Sequence, residues 1–393
     1  VGSGKTAVAA AACYFSHKNG YQSALMAPTE ILANQHFRTL SQFLEPLNVK
    51  ICLLTGSLSP KNKAEVKQGI ANGEFSVVVG THALVQQSTE FQNLGLVITD
   101  EQHRFGVNQR ATLAEKGGNP HKLVMSATPI PRTLGLIIYG DLEISVLNEL
   151  PQGRLPIDTF AVGGKIRERA YNFIKKHLDE GRQAYIVCPM IEDGDAGLIA
   201  VNSYSAALSE GAFKGYSVGL LHGKMKSDEK NRVMAAFKDG EIQLLVSTTV
   251  VEVGVDVPNA IVMLVENADR FGLSQLHQLR GRVGRGEFKS YCILVTDNFS
   301  PEVKERLTTL TKISDGFKIS EEDLRIRGCG DFFGERQHGL PPLKIAQFDA
   351  EMLSVTQTAA KELLAECPDL SAFPALKSAV ERLFDGNGEN GLN

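Results

Sequence analysis

Cysteine is scarce in this chain. Six of its 393 residues are cysteine, no two stand in a C-x-x-C pair, and no histidine cluster accompanies them. That spacing argues against a zinc site and against a disulfide framework, and leaves buried free thiols in a reducing cytosol as the expectation. A basic excess is also missing: 41 Lys and Arg stand against 45 Asp and Glu, a formal charge of −4. Bulk charge therefore does not hold nucleic acid, and any such contact must use local basic patches. No apolar run approaches the roughly 18 residues that a spanning helix needs, so no membrane partner is expected. The N-terminus has neither an initiator Met nor a basic-then-apolar signal pattern. What is present is an ordinary globular composition, 43 % apolar and 22 % charged. The length suits two to three domains and more than one core.

The apolar residues fall into short continuous runs at 23–27, 50–54, 75–79, 94–99 and 122–126, separated by amphipathic stretches such as 30–44 and 60–72. Continuous runs of this length read as strands buried on both faces of a parallel sheet, and the alternation is βαβ rhythm. The segment NELPQGRLPI at 148–157, with two prolines and a glycine, reads as a linker. The rhythm then restarts, with strands at 182–188, 217–221, 242–247, 260–266 and 290–296 and helices at 166–180, 227–239 and 273–281. After residue 298 the pattern is helix-rich, interrupted by the Gly-rich segment RIRGCGDFFGERQHG at 325–339 and closed by helices near 349–365 and 373–384. The tail DGNGENGLN is expected to be disordered. The fold class is therefore α/β, with two tandem units of parallel sheet followed by helices. The expected divisions are 1–150, 151–298, 299–347 and 348–393.

The chain opens with VGSGKT. The pattern G-x-x-x-x-G-K-S/T is a phosphate cradle: backbone N–H groups at a helix N-terminus hold the phosphates, the lysine reaches the β and γ oxygens, and the hydroxyl ligates Mg²⁺. Gly4, Lys5 and Thr6 fill its last three places, with Gly2 and Ser3 before them, and the leading glycine is not in this chain. A surface turn with a stray lysine gives the same string. Further on, LGLVITDEQHRFG runs from an apolar strand into Asp100 and Glu101. One carboxylate at a strand's end can hold Mg²⁺, and its neighbour can orient and deprotonate the attacking water. The same pair also occurs in solvated loops; a phosphate loop upstream favours the catalytic reading. SATPIPRTL supplies Ser126 and Thr128 after another strand, where hydroxyls can bond the Asp-Glu loop or simply close a turn. QLHQLRGRVGRG brings Gln278, Arg280, Arg282 and Arg285 within eight residues. Rigid, always-charged arginines suit a transferring γ-phosphoryl. The glycines of GRVGR argue against a plain basic helix cap, because they weaken a helix and let backbone approach a ligand.

In order, APTEILANQH, TGS, GTHALV, TDEQHRFG, SATPIP, VSTTVVEVGVDVPNA and QLRGRVGRG resemble the successive motifs of a superfamily 2 helicase core. Within that superfamily the chain resembles the RecG family more than transcription-repair coupling factor, which typically has a second Glu in place of Gln102. RLTTLTKISDGFKISEEDLRIRGCGDFFGERQHG resembles the translocation motif that the two families share. Cys329 stands where proline is usual, and Thr99 where an apolar residue is commoner; neither is a catalytic position.

The resemblance implies two RecA-like P-loop domains with a C-terminal helical hairpin and a short helical extension, ATP and Mg²⁺ as cofactors, and coupling of hydrolysis to movement on duplex DNA. It implies that Gly2, Ser3, Gly4, Lys5, Thr6 and Asp100 face the nucleotide, with Thr6 and Asp100 on the metal. Glu101, Gln278, Arg282 and Arg285 would serve catalysis. Pro28, Thr29, Thr81, His82, Ser126, Thr128 and Thr248 would serve DNA contact or coupling, with Arg306, Arg327 and Gln337 from the translocation motif. The implied work is remodelling of stalled replication forks and Holliday junctions by a monomer in the bacterial cytoplasm, associated with the nucleoid and open to single-strand-binding protein. On this resemblance the chain reads as a C-terminal motor fragment without the family's wedge domain and without the first half of the P-loop. It is then expected to bind ATP poorly, and its first α/β unit to be the less stable. Two other readings stay open at this point: the coupling factor or an RNA helicase, and a non-catalytic binding module built on a dead motor.

Overall fold

The computed structural model describes residues 3–101, 113, 116–126, 144–147, 155–189, 194–248, 257–327 and 350–385, with side chains throughout except at 194–200, 227, 324, 327, 350–354, 357 and 383–385. Strands β1 (Gln22–Met26), β2 (Ile51–Leu54), β3 (Val77–Gly80), β4 (Leu94–Asp100) and β5 (His121–Met125) form the first sheet, in the order β2-β3-β1-β4-β5. Strands β6 (Asp158–Val162), β7 (Gln183–Val187), β8 (Val218–Leu221), β9 (Leu244–Ser247), β10 (Ala260–Val265) and β11 (Tyr291–Val295) form the second, in the order β6-β11-β10-β7-β9-β8. Every pairing is parallel. Central strands are buried along their whole length, as β1, β7 and β10 are. A continuous apolar run implies this, because helices cover both faces of a parallel sheet.

The helices are α1 (Lys5–Lys18), α2 (Glu30–Leu44), α3 (Pro60–Ala71), α4 (Arg167–Asp179), α5 (Gly194–Glu210), α6 (Ser227–Lys238), α7 (Leu273–Arg280), α8 (Pro301–Lys312), α9 (Gly316–Arg327), α10 (Ala350–Glu366) and α11 (Pro374–Asp385). Helix α2 begins where Thr29 accepts a bond from the Leu32 N–H, and buries Ala33, His36, Leu40 and Leu44 along one stripe. Helices α3 and α8 each start with a serine cap followed by proline in the first turn. One core packs α1 and α2, through Cys13, Ala33 and Leu40, on Leu25, Val79 and Ile98 of the first sheet. The opposite face carries a second cluster that includes Met26, Leu54, Ile70, Val78 and Leu84. The second sheet has its own core around Ile174, Ile186, Phe213, Val246 and Leu264.

The two sheets repeat one plan down to single hydrogen bonds. Gln22 and Gln183 open equivalent strands, each after a glycine with positive φ, Gly20 at 78° and Gly181 at 77°. The Gln22 amide donates to the carbonyls of Ile70 and Phe75, and that of Gln183 to those of Phe237 and Ile242. Asn93 reaches the Gly20 carbonyl at 3.1 Å, and Asn259 reaches that of Gly181 at 2.9 Å. Thr81 N–H bonds the Leu54 carbonyl, and Thr248 N–H that of Leu221.

Both α/β units and α8 belong to one compact body, Val1–Thr128 with Leu147–Ser314; the remaining body comprises Pro129–Val146 with Asp315–Asn393. The border falls between α8 and α9, the two helices of the expected hairpin.

Expected strands and helices recur within one or two residues at their ends. Strand β6 and helix α5 were not legible in the sequence. β6 is an edge strand, partly exposed along its length, and so lacks the apolar run. Of the proposed linker, only 155–157 is described, and it has no regular structure. The Gly-rich segment begins later than expected, since 325–327 is the last turn of α9. Residues 328–339 and the tail from 386 lie outside the described residues. Cys13, Cys52, Cys188 and Cys292 are buried free thiols, pushed by burial up to about 12. Cys367 departs from the expectation: it is half-exposed and donates to Asp369. Among the described residues no helix is long and apolar enough to cross a membrane.

Candidate active site

Gly4 is the N-cap of α1, with φ at 85°, and no side chain caps the helix. A Cβ there would meet nothing within 4 Å, so glycine is required by the backbone angle and the space beside it is open. The first turn holds no acidic residue. The unpaired N–H groups and the positive end of the helix dipole thus face an open space, which fits an anion such as a phosphate group. Lys5 is the first residue of the helix. Burial pushes its ammonium below the usual lysine range, Glu101 and then Asp100 pull it back up, and Arg285 pushes it down. Both carboxylates, and Arg285 from the second α/β unit, thus act on the charge of Lys5. Thr6 follows, half-buried.

Asp100 is the last residue of β4 and is buried. Its Oδ2 lies 2.8 Å from His36 Nε2, across 64 residues of sequence. His36 closes the string APTEILANQH, where it had no assigned role. Its one signal in the sequence was a place on the buried stripe of α2. Glu101 sits at φ 52°, a left-handed angle costly for a residue with a Cβ, and its N–H is held by the Met125 carbonyl at 2.9 Å. That bond ties the acidic pair to the end of β5, immediately before Ser126. Asp100 and Thr6 are hard oxygen donors, the ligand type a magnesium ion takes.

On the second unit, Gln278 is half-buried on α7, Arg282 is buried just beyond it, and Arg285 is half-buried. Arg285 Nε donates to the Gly281 carbonyl at 3.2 Å. Gly284 has φ 74°, and a Cβ on it would stand 2.8 Å from Ile157 Cγ1, so the turn between the two arginines needs glycine. Arg280 does not share their role. It is buried, and its guanidinium donates to the carbonyls of Leu310, Ile313 and Ser314 at the end of α8.

The residues expected to touch DNA follow the carboxyl ends of strands, where parallel sheets bind ligands. Pro28 and Thr29 follow β1, Thr81 and His82 follow β3, Ser126 follows β5 and Thr248 follows β9. Thr29 already caps α2. Thr81 and Thr248 are buried, and His82 is exposed. Arg306, on α8, donates to the Asp269 carbonyl. Arg327 ends α9, its side chain outside the described set; Gly2, Thr128 and Gln337 lie outside the described residues.

Residues 1–137 match the DEAD/DEAH box helicase family, and residues 167–287 match the helicase conserved C-terminal domain. The chain is 49% identical over 388 residues to the ATP-dependent DNA helicase RecG of Synechocystis, covering 98% of this chain and 47% of that protein. It is 51% identical over 370 residues to the protein of the same name from Bacillus subtilis, covering 93% and 54%. Over nearly its whole length the chain is similar to the RecG helicases. It spans about half the length of the RecG relatives it matches. A solved structure of RecG bound to a three-way DNA junction aligns with a TM-score of 0.74 and 44% identity, covering 91% of this chain and 46% of that one. The yeast protein Dbp5, bound to RNA and ADP BeF3, aligns at TM-score 0.57 with 16% identity over 92% of this chain and 87% of that chain, a likeness of fold alone. The two tandem RecA-like domains expected from the sequence are present, one around each parallel sheet.

Proposed function

We propose that this chain is the ATP-driven motor of a DNA translocase that acts on branched DNA. The observation that carries the reading is the helix N-terminus at Gly4, with φ at 85°, no side-chain cap and open space beside it, where Glu101, Asp100 and Arg285 act on the charge of Lys5. The RecG structure that holds a three-way junction supports branched DNA as the substrate.

In this reading the N–H groups around Gly4 hold the β-phosphate and Lys5 reaches the γ-phosphate. Thr6 and Asp100 would hold Mg²⁺, which when bound neutralises charge between the phosphate oxygens. His36 orients Asp100 by the bond to Oδ2. Glu101, fixed through its backbone on Met125, takes a proton from the attacking water. Gln278 positions that water, and Arg282 and Arg285 stabilise charge on the transferring group. Pro28, Thr29, Thr81, His82, Ser126, Thr128 and Thr248 serve backbone contacts, which fix register without reading sequence. Arg306, Arg327 and Gln337 couple hydrolysis to movement: Arg327→Ala or Gln337→Ala should lower fork unwinding per ATP while hydrolysis persists, and equal losses in the two rates would count against a coupling role. Stalled forks and Holliday junctions are the proposed substrates. The proposed setting is the bacterial cytoplasm, with the motor monomeric at the nucleoid and single-strand-binding protein as a partner.

ATPase activity of the protein as encoded, measured with forked DNA, linear duplex and RNA, tests the reading. Strongest stimulation by forked DNA is expected. Stimulation by RNA without stimulation by duplex DNA would reassign the chain to an RNA motor, and no hydrolysis with any of them would leave only a binding module.

A further inference from the structure

The carboxyl edge of the second sheet repeats the edge that carries Asp100. Val265 pairs with Val187 as Thr99 pairs with Met26, so Glu266 occupies in the second unit the place of Asp100 in the first. The correspondence is independently fixed by the next residues: Ala27 N–H bonds the Gly80 carbonyl at 2.9 Å, and Cys188 N–H that of Ser247 at 2.8 Å. After β6 ends at Val162 the chain turns through Gly163, Gly164 and Lys165 into α4, much as Gly4 leads into α1.

This second edge is already occupied. Glu266 is 4% exposed, and its carboxylate takes Arg167 Nε at 3.1 Å and Arg167 Nη2 at 3.1 Å. The hydroxyls of Tyr204 and Tyr171 reach the same carboxylate at 2.9 and 3.1 Å and lie 2.7 Å from each other. A carboxylate this buried is costly unless a cation and hydrogen bonds compensate it, and here all of them come from the chain. At the loop, Gly164 N–H donates to Asp297 Oδ1 at 2.8 Å. A Cβ on Gly164 would stand 2.5 Å from that oxygen, so the glycine admits the carboxylate. Asp297 is exposed, so this end of the arrangement is open to solvent.

We infer that the second unit keeps a degenerate copy of the nucleotide seat and fills it with its own side chains. Asp297 takes the place of the anion at the loop, and Arg167, which with the Tyr171 and Tyr204 hydroxyls donates to Glu266, takes the place of the cations at the carboxylate. The edge of the second sheet is therefore closed by the chain's own groups. A tethered carboxylate competes at a high effective concentration with free phosphate for the loop N–H groups. The comparison with a nucleotide seat rests on the reading of Lys5 and Asp100 proposed above.

The test uses this chain with Lys5→Ala, which silences the first seat, with and without Asp297→Ala. The readout is thermal unfolding in rising inorganic phosphate at constant ionic strength. Lys5→Ala alone is expected to give a flat response. Adding Asp297→Ala should lower the midpoint by roughly 1–3 °C, and phosphate should restore it. A double variant as stable as Lys5→Ala and as indifferent to phosphate overturns the anion half of the inference. If Asp297→Ala does not fold, Asp297→Asn gives the same reading with the shape kept. Glu266→Gln should lower the midpoint by several degrees, and Arg167→Met should recover part of that loss; a neutral Glu266→Gln overturns the cation half. Two nucleotides bound per wild-type chain would overturn both. Should Lys5→Ala bind ATP as the wild type does, the first-seat reading fails by itself, and the response of the Asp297 variants still decides the second seat.

Discussion

Arg280 holds Leu310. Its Nη1 donates to the Leu310 carbonyl at 2.8 Å and to that of Ile313 at 2.9 Å, while Nη2 reaches Ser314 O at 3.2 Å and His277 Nδ1 at 2.9 Å. The last carbonyls of a helix have no partner within the helix, and a buried guanidinium can satisfy several at once. The helix preceding Arg282 and Arg285 is thereby fastened to the C-terminal end of α8. Arg280→Met leaves those carbonyls short of donors and should destabilise the fold by about 3 kcal/mol. It should also reduce DNA unwinding per ATP more than ATPase. Denaturant unfolding and paired ATPase and unwinding rates check this; equal losses in the two rates would make Arg280 purely structural.

Glu101→Gln should abolish hydrolysis and spare ATP binding. The amide keeps the shape and the Met125 contact through the backbone, but cannot take the proton. Equilibrium binding of ATP beside steady-state turnover is the measurement, and near-normal turnover would remove Glu101 from the mechanism.

Arg282→Ala or Arg285→Ala should lower turnover by about 10³-fold or more, if either acts on the transferring phosphoryl, with a far smaller change in ATP affinity. Arg285 already acts on Lys5 through its charge. A variant that loses DNA binding but keeps basal ATPase would move that arginine to the DNA side.

Gln22→Leu should cost about 1–3 kcal/mol, and Gln183→Leu a similar amount, since the Phe75 and Ile242 carbonyls lose the amide donor, while those of Ile70 and Phe237 keep the N–H groups of Gly73 and Gly240. Gln22 also accepts from the N–H groups of Gln92 and Asn93, at 2.8 and 3.1 Å. Urea midpoints of the two variants measure it, and a change under half a kcal/mol in both would show that the repeated bonds add little.

Alkaline pH should loosen the second sheet. Burial raises the phenol pKa of both Tyr171 and Tyr204. A raised folded pKa stabilises fully below the unfolded value of about 10, and that contribution is lost as pH rises above it, because the unfolded chain ionises first. Tyrosinate absorbance followed with far-UV circular dichroism should show these two phenols ionising only as structure is lost. Ionisation of all tyrosines well before unfolding would contradict it.

The sequence by itself determined the βαβ rhythm, the two-unit plan and the order of the motifs. Their signals are local: a run such as Val77–Gly80 must be buried on both faces wherever it lies, and Gly4-Lys5-Thr6 is contiguous. Only the tertiary structure decided which strands are neighbours, and with that the partners of the functional groups. His36 meets Asp100 across 64 residues and Arg167 meets Glu266 across 99. Such pairs leave no periodicity, because each joins the end of a strand to a helix that only the fold brings beside it. The role of Arg280 was hidden for the same reason. In sequence it is one of three arginines around two glycines, and only the packing of α7 on α8 turns it away from Arg282 and Arg285. A guanidinium has one charge whatever its position, and what it does depends on which unsatisfied oxygens the fold brings within 3 Å of it.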